Sequence, residues 1–335
     1  MKNIEKNKKR FKLFDLNRDG KGVFEQENRK PTLRFFFVLL FRKITQLLQL
    51  NAMMLFQALP IIGIVAIYVF GAKQYLSTNI TYSPIYGITK VTESPSLFAE
   101  LDIIGHHAET AFFTPWMIIG MIALALFLFI TFGWQNVGAA YVLRGLFRGD
   151  PVFVFSDFFH AIKRNFLQGF IIGIIDFVCC AALIIDLIFF FASGSMFNAI
   201  IFGIIVAITI IYVFMRFYIY QLLITFELKT VKIFKNALIF SILGIFRNLL
   251  ALLGIIILIV IHVLLIIWML PIGISIPLIL PFFYILSIIG FMGTYAAYPV
   301  IEKYMITPYE NQVSEDNDSD SITDESNSTE DIPDA

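Results

Sequence analysis

The chain has 335 residues, of which 58% are hydrophobic and 15% charged, and its mean hydropathy is +0.80. Soluble domains carry about 25% charged residues, so this composition excludes a disordered protein and disfavours a soluble one. The formal net charge is zero, yet residues 1–50 hold 13 Lys and Arg against 5 acids, and residues 309–335 hold 10 acids and no base. We therefore expect a polytopic membrane protein with oppositely charged ends.

Residues 1–49 form a basic segment that precedes the first apolar stretch. The segment closes with an aromatic and basic run leading to Asn51, and similar runs lead to Asn165 and Asn248. Such helices can lie in the membrane interface with Phe and Leu toward hydrocarbon and Lys and Arg toward anionic headgroups. Anionic lipid is therefore a predicted partner, and nucleic acid is not, because the neighbouring interfacial helix makes lipid the better partner for the basic segment.

Six apolar stretches are long enough to cross a bilayer, which takes about 20 helical residues. Prolines 271, 277 and 281 divide the longest stretch, since proline stops one helix and starts the next. The predicted fold class is all-α, a helical bundle over residues 50–300 with interfacial helices on its cytoplasmic side. The predicted spans are residues 50–72, 115–134, 166–191, 196–216, 248–270 and 277–298. Residues 301–335, which are too polar to bury a core, are predicted to form an acidic disordered tail.

Orientation follows from the distribution of Lys and Arg, which are retained in cytoplasmic loops. With Arg216 counted in the loop before the fifth span, 23 basic residues fall on one side, against Lys73 and Lys90 on the other. Both termini are therefore predicted to be cytoplasmic, and residues 73–114 to form the one large external loop.

The external loop contains a candidate metal site. Asp102, His106 and Glu109 follow i, i+4, i+7 spacing, which places them on one face of a helix. Zinc uses such ligands, although exposed helices commonly carry the same mixture without metal.

Asp176 lies 11 positions past Asn165 in the third span, about 16 Å deep. Gly169 and Gly173 form a GxxxG pair on nearly the same helix face as Asp176, so this face is predicted to pack on another helix. His262 of the fifth span has a similar depth. We consider a proton-linked Asp176–His262 pair, with a structural interhelical hydrogen bond and a neutral, protonated Asp176 as alternatives.

Three stretches resemble YesL-like membrane proteins of Firmicutes: residues 14–23, residues 138–166 and, more weakly, residues 234–250. The similarity covers roughly residues 12–300 and rests on the order of these stretches. It implies a multi-span protein of the bacterial inner membrane without assigned activity, in a family often suspected of assisting carbohydrate uptake by ABC transporters. It carries over no catalytic residue.

The sequence contains no HExxH, GxSxG, P-loop, GxGxxG or CxxC motif. We therefore expect no enzyme and no cofactor. The leading hypothesis is an accessory or interaction component of solute uptake, with an ABC importer or another membrane protein as partner. The alternative is a small-solute or proton-linked transporter or channel that uses Asp176 and His262. A membrane-embedded enzyme acting at the external Asp102, His106 and Glu109 is the third hypothesis.

Overall fold

The structure is a computed structural model that describes residues 31–71, 73–77, 109–192 and 195–309, with the backbone alone for 73–77 and 109–112. The predictions for most of the basic N-terminal segment, for the acidic tail and for the middle of the external loop therefore lie outside the described residues.

The described part of the chain is a bundle of helices, and outside residues 71–114 consecutive helices are joined by short connections. In chain order the elements are α1 (Leu33–Arg42), α2 (Ile44–Phe70), β1 (Lys73–Ser77), β2 (Glu109–Phe113), α3 (Pro115–Arg148), α4 (Val154–Arg164), α5 (Phe166–Ala192), α6 (Met196–Thr225), α7 (Thr230–Leu243), α8 (Ile245–Met269), a 3₁₀ turn (Leu270–Ile272), α9 (Ile276–Ile279), α10 (Pro281–Ile301) and a π-helical turn (Glu302–Ile306). Six of these helices, α2, α3, α5, α6, α8 and α10, are long and apolar enough to cross a membrane. The predicted helical bundle and its six spans are thus confirmed.

Two spans continue well past the ends that were predicted for them. The α3 helix runs to Arg148 instead of residue 134, and its 34 residues measure about 51 Å. The α6 helix runs to Thr225 instead of residue 216. The added turns of the two helices are bonded to each other: Arg144 Nη1 of α3 donates to the Ile224 carbonyl of α6 at 3.1 Å and to Thr225 Oγ1 at 3.0 Å.

The short helices α1, α4 and α7 each precede a span at the same end of the bundle, and α1 and α4 are amphipathic. We call this end the basic end, because Lys and Arg cluster there, among them Lys43, Arg148, Lys163, Arg164, Lys232, Lys235 and Lys303. On α4, Val154, Phe158 and Ala161 are buried against the bundle while Phe155 and Phe159 remain exposed. The α4 helix therefore has one face packed on the bundle and another available to the membrane interface.

The close-packed core lies in the half of the bundle nearest the basic end. Its fully buried side chains include Leu146 of α3, Tyr218 and Leu222 of α6, and Phe291 and Ile301 of α10. The opposite ends of the spans leave large apolar side chains exposed, such as Phe70, Trp116, Met196 and Trp268. A bilayer permits this arrangement, because lipid tails solvate apolar side chains as well as a protein core does.

A short two-stranded ribbon lies at the other end, where no strand was predicted. Strands β1 and β2 pair antiparallel, from Lys73 opposite Phe113 to Ser77 opposite Glu109. The ribbon therefore joins the two ends of the segment between α2 and α3.

Each asparagine that follows one of these three short helices bonds to backbone. Asn51 Oδ1 accepts from the Ser287 N–H at 2.9 Å, and its Nδ2 donates to the Phe282 carbonyl. Asn248 Nδ2 donates to the Ser241 carbonyl at 3.0 Å, and Asn165 Nδ2 to that of Ala161 at 3.1 Å. These bonds matter because lipid offers no substitute partner to a backbone polar group.

Candidate functional site

The α5 helix approaches α3 through glycine. A Cβ atom built on Gly133 of α3 would overlap the Gly169 carbonyl and Gly173 Cα, and one built on Gly173 would overlap the Gly133 backbone. Small residues allow two helix backbones to come this close. The contact places the face of α5 that carries Gly169, Gly173 and Asp176 inside the bundle.

Asp176 is fully buried and its carboxylate is surrounded by donors. Tyr212 Oη donates to Oδ1 at 2.8 Å, and Tyr220 Oη donates to Oδ2 at 2.7 Å. Arg216 Nε lies 3.0 Å from Oδ1 and 3.1 Å from Oδ2. The Cys180 thiol, one turn further along α5, lies 3.6 Å from Oδ1. The carboxylate therefore joins α5 to α6 through one ion pair and two phenol hydrogen bonds.

All three α6 partners of Asp176 lie on one helical stripe. Tyr212, Arg216 and Tyr220 are spaced by four residues, and such residues share a face of an α-helix. The prediction that Arg216 belongs to the loop before the fifth span is wrong, because Arg216 lies within α6. The sequence contained a signal for this pairing that was missed. The third span carries an acid, and the fourth carries an arginine with a tyrosine four residues before it and another four residues after it.

Arg216 uses only part of its bonding capacity on Asp176. Within the described part of the chain its hydrogen bond and ion pair come from Nε, while the guanidinium carbon lies 5.5 Å from the centre of the Phe132 ring. The Arg216 side chain is 33% exposed, whereas that of Asp176 is 0% exposed. The two terminal amino groups of Arg216 thus retain donors for a further partner.

His262 does not pair with Asp176, which corrects the predicted proton-linked pair. Its Nε2 lies 2.9 Å from the Pro277 carbonyl, and its Nδ1 lies 3.0 Å from Tyr284 Oη. A carbonyl can only accept, so Nε2 carries a proton. One ring nitrogen is occupied by Pro277 of α9 and the other by Tyr284 of α10, while Asp176 is bonded to α6. Similar depth in the membrane did not bring the two side chains together, because each has nearer partners.

A cavity of about 570 Å³ lies between α2, α3, α6, α8 and α10. Most of its lining side chains are aliphatic or aromatic. Its polar lining consists of Gln57, Asn136, Arg216, Tyr220, Gln221 and Thr294. Gln221 Nε2 donates to Thr294 Oγ1 at 2.9 Å and contacts the Ala140 carbonyl at 3.4 Å, which links α6, α10 and α3. Arg216 therefore connects two features, the buried carboxylate of α5 and this cavity.

The candidate metal residues fall largely outside the described residues, which exclude Asp102 and His106. Glu109 is the first residue of β2, where it pairs with Ser77, so the predicted helical face does not extend to it. In the described ranges, no group of three His, Cys, Asp or Glu side chains is arranged to hold a metal ion.

Residues 112–187 match the family model described as "Protein of unknown function, DUF624", the family that includes YesL-like proteins. The matched segment runs from the end of β2 through most of α5, so it contains Gly133, Gly169, Gly173 and Asp176 but not Arg216. No curated protein and no solved structure matches the chain.

Proposed function

We propose that this YesL-like chain is a multi-pass protein of the bacterial cell membrane that acts, without enzymatic activity, as an accessory component of solute uptake. In this proposal the basic end and both termini face the cytoplasm, and the partner is a membrane protein such as an ABC importer, with carbohydrate as the solute class that the family resemblance suggests.

The proposal rests on the burial and the hydrogen bonding of the Asp176 carboxylate. Its carboxylate is 0% exposed and accepts from Tyr212, Tyr220 and Arg216. An acid that carries protons across a membrane must exchange them with water, whereas a sealed and fully bonded acid holds helices together. The pair therefore supports a structural role for the charge in α5 and favours a scaffold over a proton-linked carrier.

The basic end supports a function based on contacts. On α4 the exposed Phe155 and Phe159 adjoin the exposed Lys163 and Arg164, and on α7 Lys232 and Lys235 are exposed. Aromatic and basic side chains together suit an interface with anionic headgroups. The bases of α7 also provide a surface for an acidic region of a partner protein.

Co-purification from native membranes tests the proposal. The full chain carrying an affinity tag is extracted in mild detergent, and we expect it to retain the membrane subunit of a solute importer in fixed ratio. Lys232→Glu with Lys235→Glu should weaken this association, whereas Asp186→Asn, an exposed change at the far end of α5, should not. Preparations that never contain another membrane protein would contradict an accessory role.

The cavity favours a second candidate, a channel or carrier for a small solute, because Arg216 lies in its wall. Solute flux into liposomes that contain the purified protein alone separates the two functions. The accessory function predicts no flux above that of empty liposomes. Flux that disappears in the Asp176→Asn variant would favour the second candidate.

A further inference from the structure

We propose that the cavity between α2, α3, α6, α8 and α10 is a binding site for one uncharged amphipathic lipid. In this site the polar head of the lipid is held by Gln57, Arg216 and Gln221, and its hydrocarbon lies along the apolar walls. This inference is independent of the accessory function.

Three polar groups that line the cavity lack a protein partner in the part of the chain that the structure describes. Gln57 makes no hydrogen bond there. Gln221 is 3% exposed, and although its Nε2 is bonded, its Oε1 is buried without a partner. The terminal amino groups of Arg216 make no bond to Asp176. Polar groups inside a membrane domain are normally bonded, because lipid tails cannot solvate them. Three such groups around one cavity indicate that a ligand supplies the missing partners.

The size and lining of the cavity indicate a ligand with an apolar body. Its volume of about 570 Å³ lies within the range of small-molecule sites, roughly 300–1,000 Å³. Met54, Ile61, Val213, Leu252 and Ile289 are among the apolar side chains in its walls. An ion or a sugar would leave these surfaces unmatched, whereas one acyl chain would cover them.

The charges at the site indicate that the head group is uncharged. The positive charge of Arg216 is balanced by Asp176, with Nε 3.0 Å from Oδ1. A phosphate or a free carboxylate would add an uncompensated negative charge next to a buried carboxylate. A hydroxyl can donate to Gln221 Oε1, and an ester carbonyl can accept from Arg216 Nη atoms. A hydroxyl and an ester on one short head are the chemistry of a monoacylglycerol.

One helix of the cavity wall is exposed to membrane lipid. The α8 helix, which contributes Leu252 and Ile255 to the cavity wall, packs chiefly against α10. Its other faces expose apolar side chains, among them Leu249, Leu253 and Ile256. A ligand dissolved in the bilayer can therefore reach the wall helices without crossing water.

Photolabelling tests the proposal. The full chain in detergent is labelled with a monoacylglycerol that carries a diazirine on its acyl chain, and the labelled residues are mapped by mass spectrometry. We expect saturable labelling of cavity-lining residues on α2, α3 or α10. Unlabelled monoacylglycerol should compete at least tenfold better than lysophosphatidic acid of the same chain length, because the latter is anionic.

Two variants with matched controls locate the site. Gln57→Leu should weaken competition by monoacylglycerol at least fivefold, whereas Gln49→Leu, an exposed change on the same helix, should not. Ala58→Phe fills the cavity and should abolish saturable labelling, whereas Leu59→Phe, on the exposed side of α2, should preserve it. Gel filtration and the thermal unfolding midpoint report whether each variant is folded.

The inference is overturned by any of three results: labelling that does not saturate, equal competition by the anionic lipid, or wild-type labelling in both Gln57→Leu and Ala58→Phe. If either cavity variant unfolds, the competition ratio between the two lipids on the wild-type protein decides the question.

Discussion

Arg216 binds Asp176 through Nε alone, at 3.0 Å from Oδ1 and 3.1 Å from Oδ2. Most arginine–carboxylate pairs of high specificity use two parallel N–H donors, but here the tyrosines at positions 212 and 220 supply the other bonds to the carboxylate. One guanidinium therefore holds α5 against α6 and still presents donors to the central cavity.

Asp176→Asn should destabilise the folded protein by about 3 kcal/mol, because removal of one partner leaves a partly buried charge uncompensated. Arg216→Gln should have a similar effect, and the double variant should lose less than the sum. The free energy of unfolding in mixed micelles, measured as a double-mutant cycle, checks this. Asp186→Asn, at an exposed position of the same helix, should stay within about 0.5 kcal/mol of wild type. Additive effects of the two single changes would show that the pair contributes nothing.

Gly173→Ala should destabilise the contact between α3 and α5 by about 1 to 3 kcal/mol, because the new Cβ would overlap the Gly133 backbone and force the helices apart. Gly203 in α6 is the matched control, since nothing lies within 4 Å of a Cβ added there. Gly203→Ala should be neutral or should stabilise α6, by at most about 1 kcal/mol. Thermal unfolding in detergent measures both variants, and equal midpoints would exclude a tight glycine contact.

Arg247→Met should destabilise α10 by about 1 to 3 kcal/mol, the loss expected when a buried acceptor is left unsatisfied. Pro299 has no N–H, so it leaves the Tyr295 carbonyl one turn earlier without its intrahelical donor. Arg247 Nη2 replaces that donor at 3.2 Å. In a Pro299→Ala background the helix recovers its own N–H, and the effect of Arg247→Met on the free energy of unfolding should shrink. An unchanged effect in that background would contradict this role for Arg247.

Single cysteines at the two ends of the bundle should label from opposite sides of the cell membrane. In a background with Cys179→Ala and Cys180→Ala, we expect Ser77→Cys in β1 to react with a membrane-impermeant maleimide on intact spheroplasts. Lys163→Cys on α4, at an exposed position of the basic end, should react only after the membrane is opened. The reverse pattern would overturn the proposed orientation, and labelling after disruption controls for accessibility.

The lengths of the spanning helices show what local sequence patterns can and cannot predict. Apolar length and proline position sufficed to predict six spanning helices, because the thickness of hydrocarbon sets a minimum for any helix that crosses it. The same patterns ended α3 and α6 too early. Residue 134 was predicted as the end of the membrane span, and α3 continues beyond it because its further turns pack inside the bundle, where Leu146 is buried and Arg144 bonds to the end of α6.

The partners of the intramembrane polar residues were not predictable in the same way. From its place within the predicted third span, Asp176 was expected to face a neighbouring helix, and the adjacent GxxxG pattern indicated which face of its helix is buried. Depth alone then suggested His262. Asp176 pairs with Arg216 because of which helices are neighbours and how each helix is rotated about its own axis. The hydropathy of a single segment predicts neither property.

The sequence by itself determined that the chain forms six helices long and apolar enough to cross a membrane, since burial of apolar surface in lipid and satisfaction of backbone polar groups within each helix are local requirements. Only the tertiary structure decided which polar side chains meet, where the core is dense and where a cavity remains between the spans. These features depend on contacts between residues far apart in the chain, such as Asn51 with Ser287 and Asp176 with Arg216, and the free energy of each contact depends on how closely its helices pack.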